Sequence, residues 1–214
     1  MKITRRNFVK QGGGAAASVL LGAASLPMMG QGASKGYSRK IRMGIAGGRF
    51  GLQFQWHEHP DCVVEAVTDL IPERRQALMK TYQCSKSYSS LEEMVKDPRI
   101  DAVGIFTPAP DHLRHVKLAM EYGKHVISAV PAVCGSMEEA HELLEIVERT
   151  GLTYMMAETS YYQQFVMSAR KFYEEGAFGD LYHCESFYQH DGLEPLMFNV
   201  DGSKTWRYGF PPMY

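Results

Sequence analysis

Met43-Gly44-Ile45-Ala46-Gly47-Gly48-Arg49-Phe50-Gly51, "MGIAGGRFG", decides how the rest of this chain is read. The run Ile41 to Ala46 has the makeup of a buried strand, and glycines follow at its end. Counted from Ala46 the pattern is A-x-G-x-x-G, which places Gly48 and Gly51 at the second and third glycine positions of a dinucleotide-binding turn. The second glycine lets backbone approach a pyrophosphate, and the third lets a helix pack closely on the strand. Ala46 occupies the position of the first glycine, with Gly47 beside it to relieve the turn. The turn is expected to open a helix over 48–59, whose free N–H groups and positive dipole end would face phosphates. Ala46, Gly47, Gly48, Arg49, Phe50 and Gly51 are the first candidate cofactor-binding residues.

Outward from this stretch, β-rich runs alternate with amphipathic ones. Strands are expected at 63–68, 102–106, 125–130 and 153–157. Helices are expected at 72–82 with Pro72 at its first position, at about 111–122 ended by Gly123, and from Ser136 to about 149, closed by Gly151. Ser90-Leu91-Glu92-Glu93 and Ser136-Met137-Glu138-Glu139 both read as capping boxes. The alternation implies α/β architecture, a doubly wound parallel sheet of Rossmann type that binds ligands beyond the carboxyl ends of its strands. Asp69, at the end of the second strand, can accept both adenosine-ribose hydroxyls and disfavours a 2′-phosphate. NAD is therefore preferred over NADP, although Arg74 and Arg75 lie close by.

The two ends read differently. Met1 to Lys10 is basic and contains Thr4-Arg5-Arg6-Asn7-Phe8-Val9-Lys10, and an apolar Gly/Ala-rich run spans 12–26. That is the layout of a twin-arginine export signal, too short and glycine-rich for a membrane span. Residues 1–33 are assigned to the signal, 34–40 to a polar linker, and 41–157 to the nucleotide-binding domain. The tail, 158–214, is expected to hold one helix (about 162–175) and one strand (181–188). Those are too few elements for a second core, so the chain reads as part of a longer protein. With 214 residues, 22% charged and a net charge of −1, nothing favours nucleic acid or an anionic membrane as partner. Cys62, Cys84, Cys134 and Cys184 are too widely spaced for a zinc pair and read as buried thiols, and no metal site is expected.

"DAVGIFTPAPDHLRHVKLAMEYGKHV" (101–126) and "EEGAFGDL" (174–181) carry a closer likeness. Over roughly 41–188 the chain resembles the Gfo/Idh/MocA superfamily of nicotinamide-dependent, sugar-modifying oxidoreductases. The resemblance implies a Rossmann domain followed by an α+β domain, here incomplete, whose sheet forms the far wall of the sugar site and the homo-oligomer interface. It implies that Thr107, Pro108 and His112 form the family's T-P-x-x-x-H loop beside the cofactor, with His112 otherwise a plain helix-start residue. It also implies that Pro131 belongs to the family's Glu-Lys-Pro signature. Here that signature reads Ala129-Val130-Pro131, and valine has no proton to exchange. Lys124 precedes the strand and belongs at the opposite end of the sheet.

A branch of the superfamily, the NAD-dependent glycosidases typified by alpha-N-acetylgalactosaminidase, reads Glu-Val-Pro at this place and carries twin-arginine signals. "AETSYY" (157–162) and "YQHD" (188–191) also resemble that branch, with Ala129 and Thr159 departing from its Glu and Asn. The chemistry it implies is redox-neutral: transient oxidation of a sugar hydroxyl with NAD, elimination, water addition and return of the hydride. His190 then fits a general base by residue type, with Tyr162 or Tyr188 positioning or exchanging a proton. Otherwise His190 is a strand-end surface residue and the tyrosines pack. Three functions follow as expectations: carbohydrate oxidoreduction by hydride transfer, redox-neutral glycoside cleavage, or non-catalytic binding of a sugar or nucleotide. The twin-arginine machinery is an expected partner, and the expected location is periplasmic or extracellular.

Overall fold

The computed structural model describes residues 39–187, 196–199 and 201–209. Strands β1 (Ile41–Ala46), β2 (Cys62–Thr68), β3 (Ser87–Tyr88), β4 (Ala102–Ile105), β5 (His125–Ser128) and β6 (Tyr154–Met156) form one sheet. Its order is β3-β2-β1-β4-β5-β6 and every pairing is parallel. This is the doubly wound arrangement expected from the sequence. The order reverses between β1 and β4, which opens a crevice at the carboxyl edge just where the glycines of 47–51 leave the sheet.

Helices α1 (Pro72–Tyr82), α2 (Leu91–Met94), α3 (His112–Glu121) and α4 (Met137–Thr150) make the crossovers after β2, β3, β4 and β5. Helix α5 (Gln164–Glu174) follows β6. Period-two alternation along the strands splits the apolar side chains between two clusters. Ala46, Val103, Ile105 and Val126 pack with Met94, Val116, Met120, Leu143 and Ile146 on the α2–α3–α4 face. Met43, Ile45, Val67 and Ile127 pack with Leu78, Tyr82 and Phe106 on the α1 face. Burying a side chain such as Leu78 or Ile105 contributes about 1.5–3 kcal/mol against full exposure.

Both caps form as expected: Ser90 Oγ accepts the Glu93 N–H at 3.3 Å and Ser136 Oγ accepts the Glu139 N–H at 3.2 Å. The glutamates reach further back than a reciprocal capping box requires. Glu93 accepts from Ser89 N–H and Oγ, and Glu139 accepts the Cys134 N–H at 3.0 Å, so each carboxylate also orders the loop before its helix.

The amino-terminal edge of the sheet is held by charge. Arg42 grips Asp101 through Nε (3.0 Å) and Nη2 (2.8 Å), joining the starts of β1 and β4. Asp97 collects Lys86, Tyr88 and Arg99. Lys124 is buried there, donating to the carbonyls of Asp97 (2.7 Å) and Ile100 (2.9 Å). Its ammonium is thus committed at the edge opposite the crevice.

Three expectations are corrected. The helix expected over 48–59 is instead two 3₁₀ turns, Phe50–Gln53 and Trp56–Glu58, separated by Gln55 at φ +47°. Aromatic packing accounts for the break: Phe54 lies between Trp56 and Phe106, at ring-centroid distances of 5.5 and 4.5 Å, and Phe50 meets Phe54 edge-on. A regular α-helix would not keep these side chains on one face. The strand expected over 181–188 is not formed at 181–187, because no neighbouring strand among the described residues offers it a hydrogen-bonding edge. Of the cysteines only Cys84 is buried; Cys62 and Cys134 are half-buried, Cys184 is exposed, and all four are free. Among the described residues no helix is long and apolar enough to cross a membrane.

Candidate functional site

The site grows from the ends of β1, β2, β4 and β5. At the end of β1, Gly47 takes φ +103° and its N–H reaches the Thr68 carbonyl at 3.0 Å. A Cβ there would overlap the Phe106 carbonyl, so only glycine can occupy the position. At Gly48 a Cβ would come within 2.6 Å of Arg74 Cβ and 2.9 Å of the Asp69 carboxylate. The two glycines thus let the β1 loop lie flat against the ends of both neighbouring strands. This is the close backbone approach that a pyrophosphate-binding loop needs. Ala46, at the first fingerprint position, is buried in the core and its backbone stays in β1, so the turn falls on Gly47. Arg49 and Phe50 are exposed beyond it, and Gly51 is buried against Phe106 and Ile45.

Asp69 is fixed from two sides. Its Oδ2 accepts the Gly48 N–H at 2.5 Å and its Oδ1 accepts the Ile71 N–H at 2.8 Å. Arg75 donates to the Asp69 carbonyl at 2.8 Å. The carboxylate is therefore anchored to the glycine loop, with lone pairs left over for a ribose diol, and Arg75 is tied to backbone. Below the loop, Tyr82 donates its hydroxyl to the Gly51 carbonyl, and burial pushes its pKa up to about 12.

Across the crevice, Thr107 and Pro108 follow β4. His112 at the start of α3 is fully buried and joins two loops: its Nε2 lies 2.9 Å from the Thr107 carbonyl and its Nδ1 lies 2.7 Å from the Pro131 carbonyl. Thr107, Pro108 and His112 from one stretch and Pro131 from another therefore meet at one end of the sheet. His112 acts there through the loops it joins. Sequence reasoning missed His115, one turn further along α3, which is buried with Nδ1 2.8 Å from Thr107 Oγ1. The usable signal was the i, i+3 spacing of the two histidines, which places both on the face of α3 turned toward the Thr107 loop.

Ala129 and Val130 face different surroundings. Ala129 is buried in the α1-side cluster with Phe106, Ile127 and Ala157, whereas Val130 is 38% exposed. Tyr162 ends a 3₁₀ turn, Thr159–Tyr162, where it is exposed and packs edge-on against Tyr161. Among the described residues nothing joins it to the Thr107 or Pro131 loops. Tyr188 and His190 lie outside the described residues. A solvent-open groove between α3 and α4, bordered by Arg114, Lys117 and Glu142, lies off the crevice.

The glycine cradle and the anchored Asp69 fit a dinucleotide. Ala46 to Gly51 would border its pyrophosphate, Asp69 its adenosine ribose, and the Thr107–Pro108 and Pro131 loops its far half. The phosphate subsite differs from the expectation in one respect: a short 3₁₀ turn has little aligned dipole, so loop N–H groups carry most of the attraction.

A parallel sheet in this order with a glycine turn at its switch point defines a dinucleotide-binding Rossmann domain. Residues 41–158, more than half the chain, match the family model described as "Oxidoreductase family, NAD-binding Rossmann fold" (GFO_IDH_MocA), and the chain belongs to that family. It is 27% identical over 176 residues to a "Glycosyl hydrolase family 109 protein" of Streptomyces coelicolor, covering 78% of this chain and 37% of that protein. It is 34% identical over 113 residues to the alpha-N-acetylgalactosaminidase of Bacteroides fragilis, covering 53% of this chain and 26% of that one. The chain thus spans well under two thirds of the length of these relatives. Among solved structures, scyllo-inositol dehydrogenase from Lactobacillus casei with bound NAD(H) and scyllo-inositol superposes with a TM-score of 0.62 at 23% identity. That match covers 66% of this chain and 43% of the dehydrogenase.

Proposed function

We propose that this chain is the nucleotide-binding part of an NAD-dependent enzyme that acts on a carbohydrate by hydride transfer. The observation that carries the proposal is the cradle in which Gly48 lies against Asp69 while His112 ties the Thr107 and Pro131 loops across the same crevice. NAD, when bound, supplies the hydride acceptor. The chain's residues hold it: the Asp69 carboxylate accepts ribose hydroxyls and repels a 2′-phosphate, and the loop backbone receives the pyrophosphate. Titration with NAD+ followed by calorimetry tests the reading. Binding that is tighter than for NADP+ and weakened by G48V supports it; no NAD+ binding by the intact chain would overturn it.

A second reading, redox-neutral glycoside cleavage, is favoured by one specific feature. Val130 stands where oxidoreductases of the family carry lysine, and the relatives named above are glycosidases. On this reading His190 serves as base, with Tyr162 and Tyr188 positioning the sugar. Release of the aryl group from aryl glycosides by a chain of the length of these relatives, dependent on oxidised NAD and lost in H190A, separates it from net oxidation. Tight NAD retention with no turnover of either kind would leave a binding function.

Residues 1–33 are proposed to direct twin-arginine export of the folded protein to a periplasmic or extracellular site. Loading NAD before export suits that route, and a homo-oligomer completes the substrate site. A reporter fused behind these residues should be exported with Arg5-Arg6 intact and retained when both are changed to lysine.

A further inference from the structure

Thr107 is held at both ends by histidines of one helix. His112 Nε2 meets its carbonyl, and His115 Nδ1 lies 2.8 Å from its hydroxyl oxygen. In the first contact the carbonyl can only accept; the direction of the second is set from the far side of the ring. His115 Nε2 lies 2.8 Å from Arg114 Nη2, and a guanidinium has only donors, so Nε2 accepts. A neutral ring accepting at Nε2 carries its proton on Nδ1, and that N–H points at Thr107 Oγ1. The hydroxyl is then an acceptor toward the protein, and its own hydrogen is left free. Thr107 is half-buried at the mouth of the crevice, next to the loop in which a Cβ on Gly47 would come within 3.1 Å of the Thr107 nitrogen.

The geometry points to His115 as a positioning residue that, with its tautomer set by Arg114, turns the Thr107 hydroxyl into a hydrogen-bond donor aimed at an acceptor oxygen of the bound dinucleotide. This rests on the cofactor reading above. It gives Arg114 a role at one remove. Arg114 is held in turn by Asp111 (3.2 Å) and by Glu92 at the end of the α2 cap (3.3 Å). A carboxylate in its place would accept instead of donate, reverse the ring, and leave Thr107 donating inward.

Burial, with Arg114 adding to it, holds the His115 pKa below the usual histidine value, while Asp111 and Glu92 act in the opposite sense and His112 with Arg114. The ring is therefore neutral at neutral pH. When it does protonate, Nε2–H faces the guanidinium donor to donor and the Arg114 contact is lost, while Nδ1–H still donates to Thr107, so the hydroxyl remains a donor on the acid side.

The test uses the full chain and NAD+. In 15N-histidine spectra, the signal assigned to His115 by its absence in H115N should show the Nδ1–H tautomer. T107V should bind NAD+ about three- to ten-fold more weakly, the loss of one hydrogen bond, and T107S should stay within about two-fold of wild type. H115A should resemble T107V. H115N, whose amide places a donor where Nδ1–H stood, should recover most of the affinity. Thermal melts establish that each variant is folded. An Nε2–H tautomer, or T107V binding as tightly as wild type, would overturn the inference. If wild type itself fails to bind NAD+, the cofactor reading falls together with the ligand half of this one, and the tautomer still decides whether Thr107 is a donor.

Discussion

At the scale of single residues, adjacent positions in the 129–131 segment answer to different constraints. Ala129 is packed among apolar side chains with 6% exposure, while Val130 points outward. A129E puts a carboxylate into that cluster with no described partner and should cost about 1–3 kcal/mol in urea unfolding. V130K leaves its ammonium in water and should change stability by less than about 0.5 kcal/mol. If A129E is as stable as wild type, a donor for that carboxylate exists which the described residues do not contain. The departure from the family signature was legible at both positions, but the difference between them was not. Burial at 129 depends on Phe106 and Ala157, residues brought there by two other strands. His115 shows the same gap: the residue type was visible, but its role depends on the facing of α3 and on its neighbour Arg114. The placement of Asp69 and the glycines was readable because it follows from strand order and from the φ of the turn, which local pattern constrains closely. Tyr188 and His190 rest on motif likeness alone.

At the scale of elements, the parallel strands and the capped helices were legible because each has a local cause. Apolar runs of strand length, Pro72, the two serine caps and the closing Gly151 at φ +63° all act within a few residues. S136A should lower stability by about 0.5–2 kcal/mol, measured by thermal melts, and should also loosen the 134–136 turn that Glu139 braces. The element that failed, the helix after the glycine turn, failed for a non-local reason. Phe106, just past the end of β4, draws Phe50 and Phe54 into a cluster that a regular helix cannot supply. F106L should release that cluster and restore helical character over 50–58, visible as slower amide exchange there. Helix α5 is the converse case. Its sequence pattern is helical and it forms, but no residue on it is buried and Phe165 and Phe172 stand exposed.

At the scale of the whole molecule, the sheet divides labour between its edges, with ion pairs at the amino-terminal edge and the ligand crevice at the other. Acid should act on the two in sequence. His115 has a lowered folded-state pKa, so the unfolded chain takes up its proton first. Its contribution is complete above about pH 6.5 and declines as pH falls from there toward the folded value. Asp101 is held down to about 2, chiefly by the Arg42 hydrogen bond, so its contribution persists above about pH 4 and is lost as pH falls from there toward 2. Melting temperature followed from pH 8 to 2 should therefore drop in two stages, with H115N removing the first and D101N reducing the second, which Asp97 shares. A single drop confined below pH 4 in wild type would contradict the placement of His115. The bridge that His112 makes between the Thr107 and Pro131 carbonyls has a kinetic consequence as well. Both carbonyls close on this one buried ring, so the two loops should breathe as one hinged flap with a common opening rate. Entry and departure of anything lodged in the crevice would then be timed by a single histidine at the root of a helix.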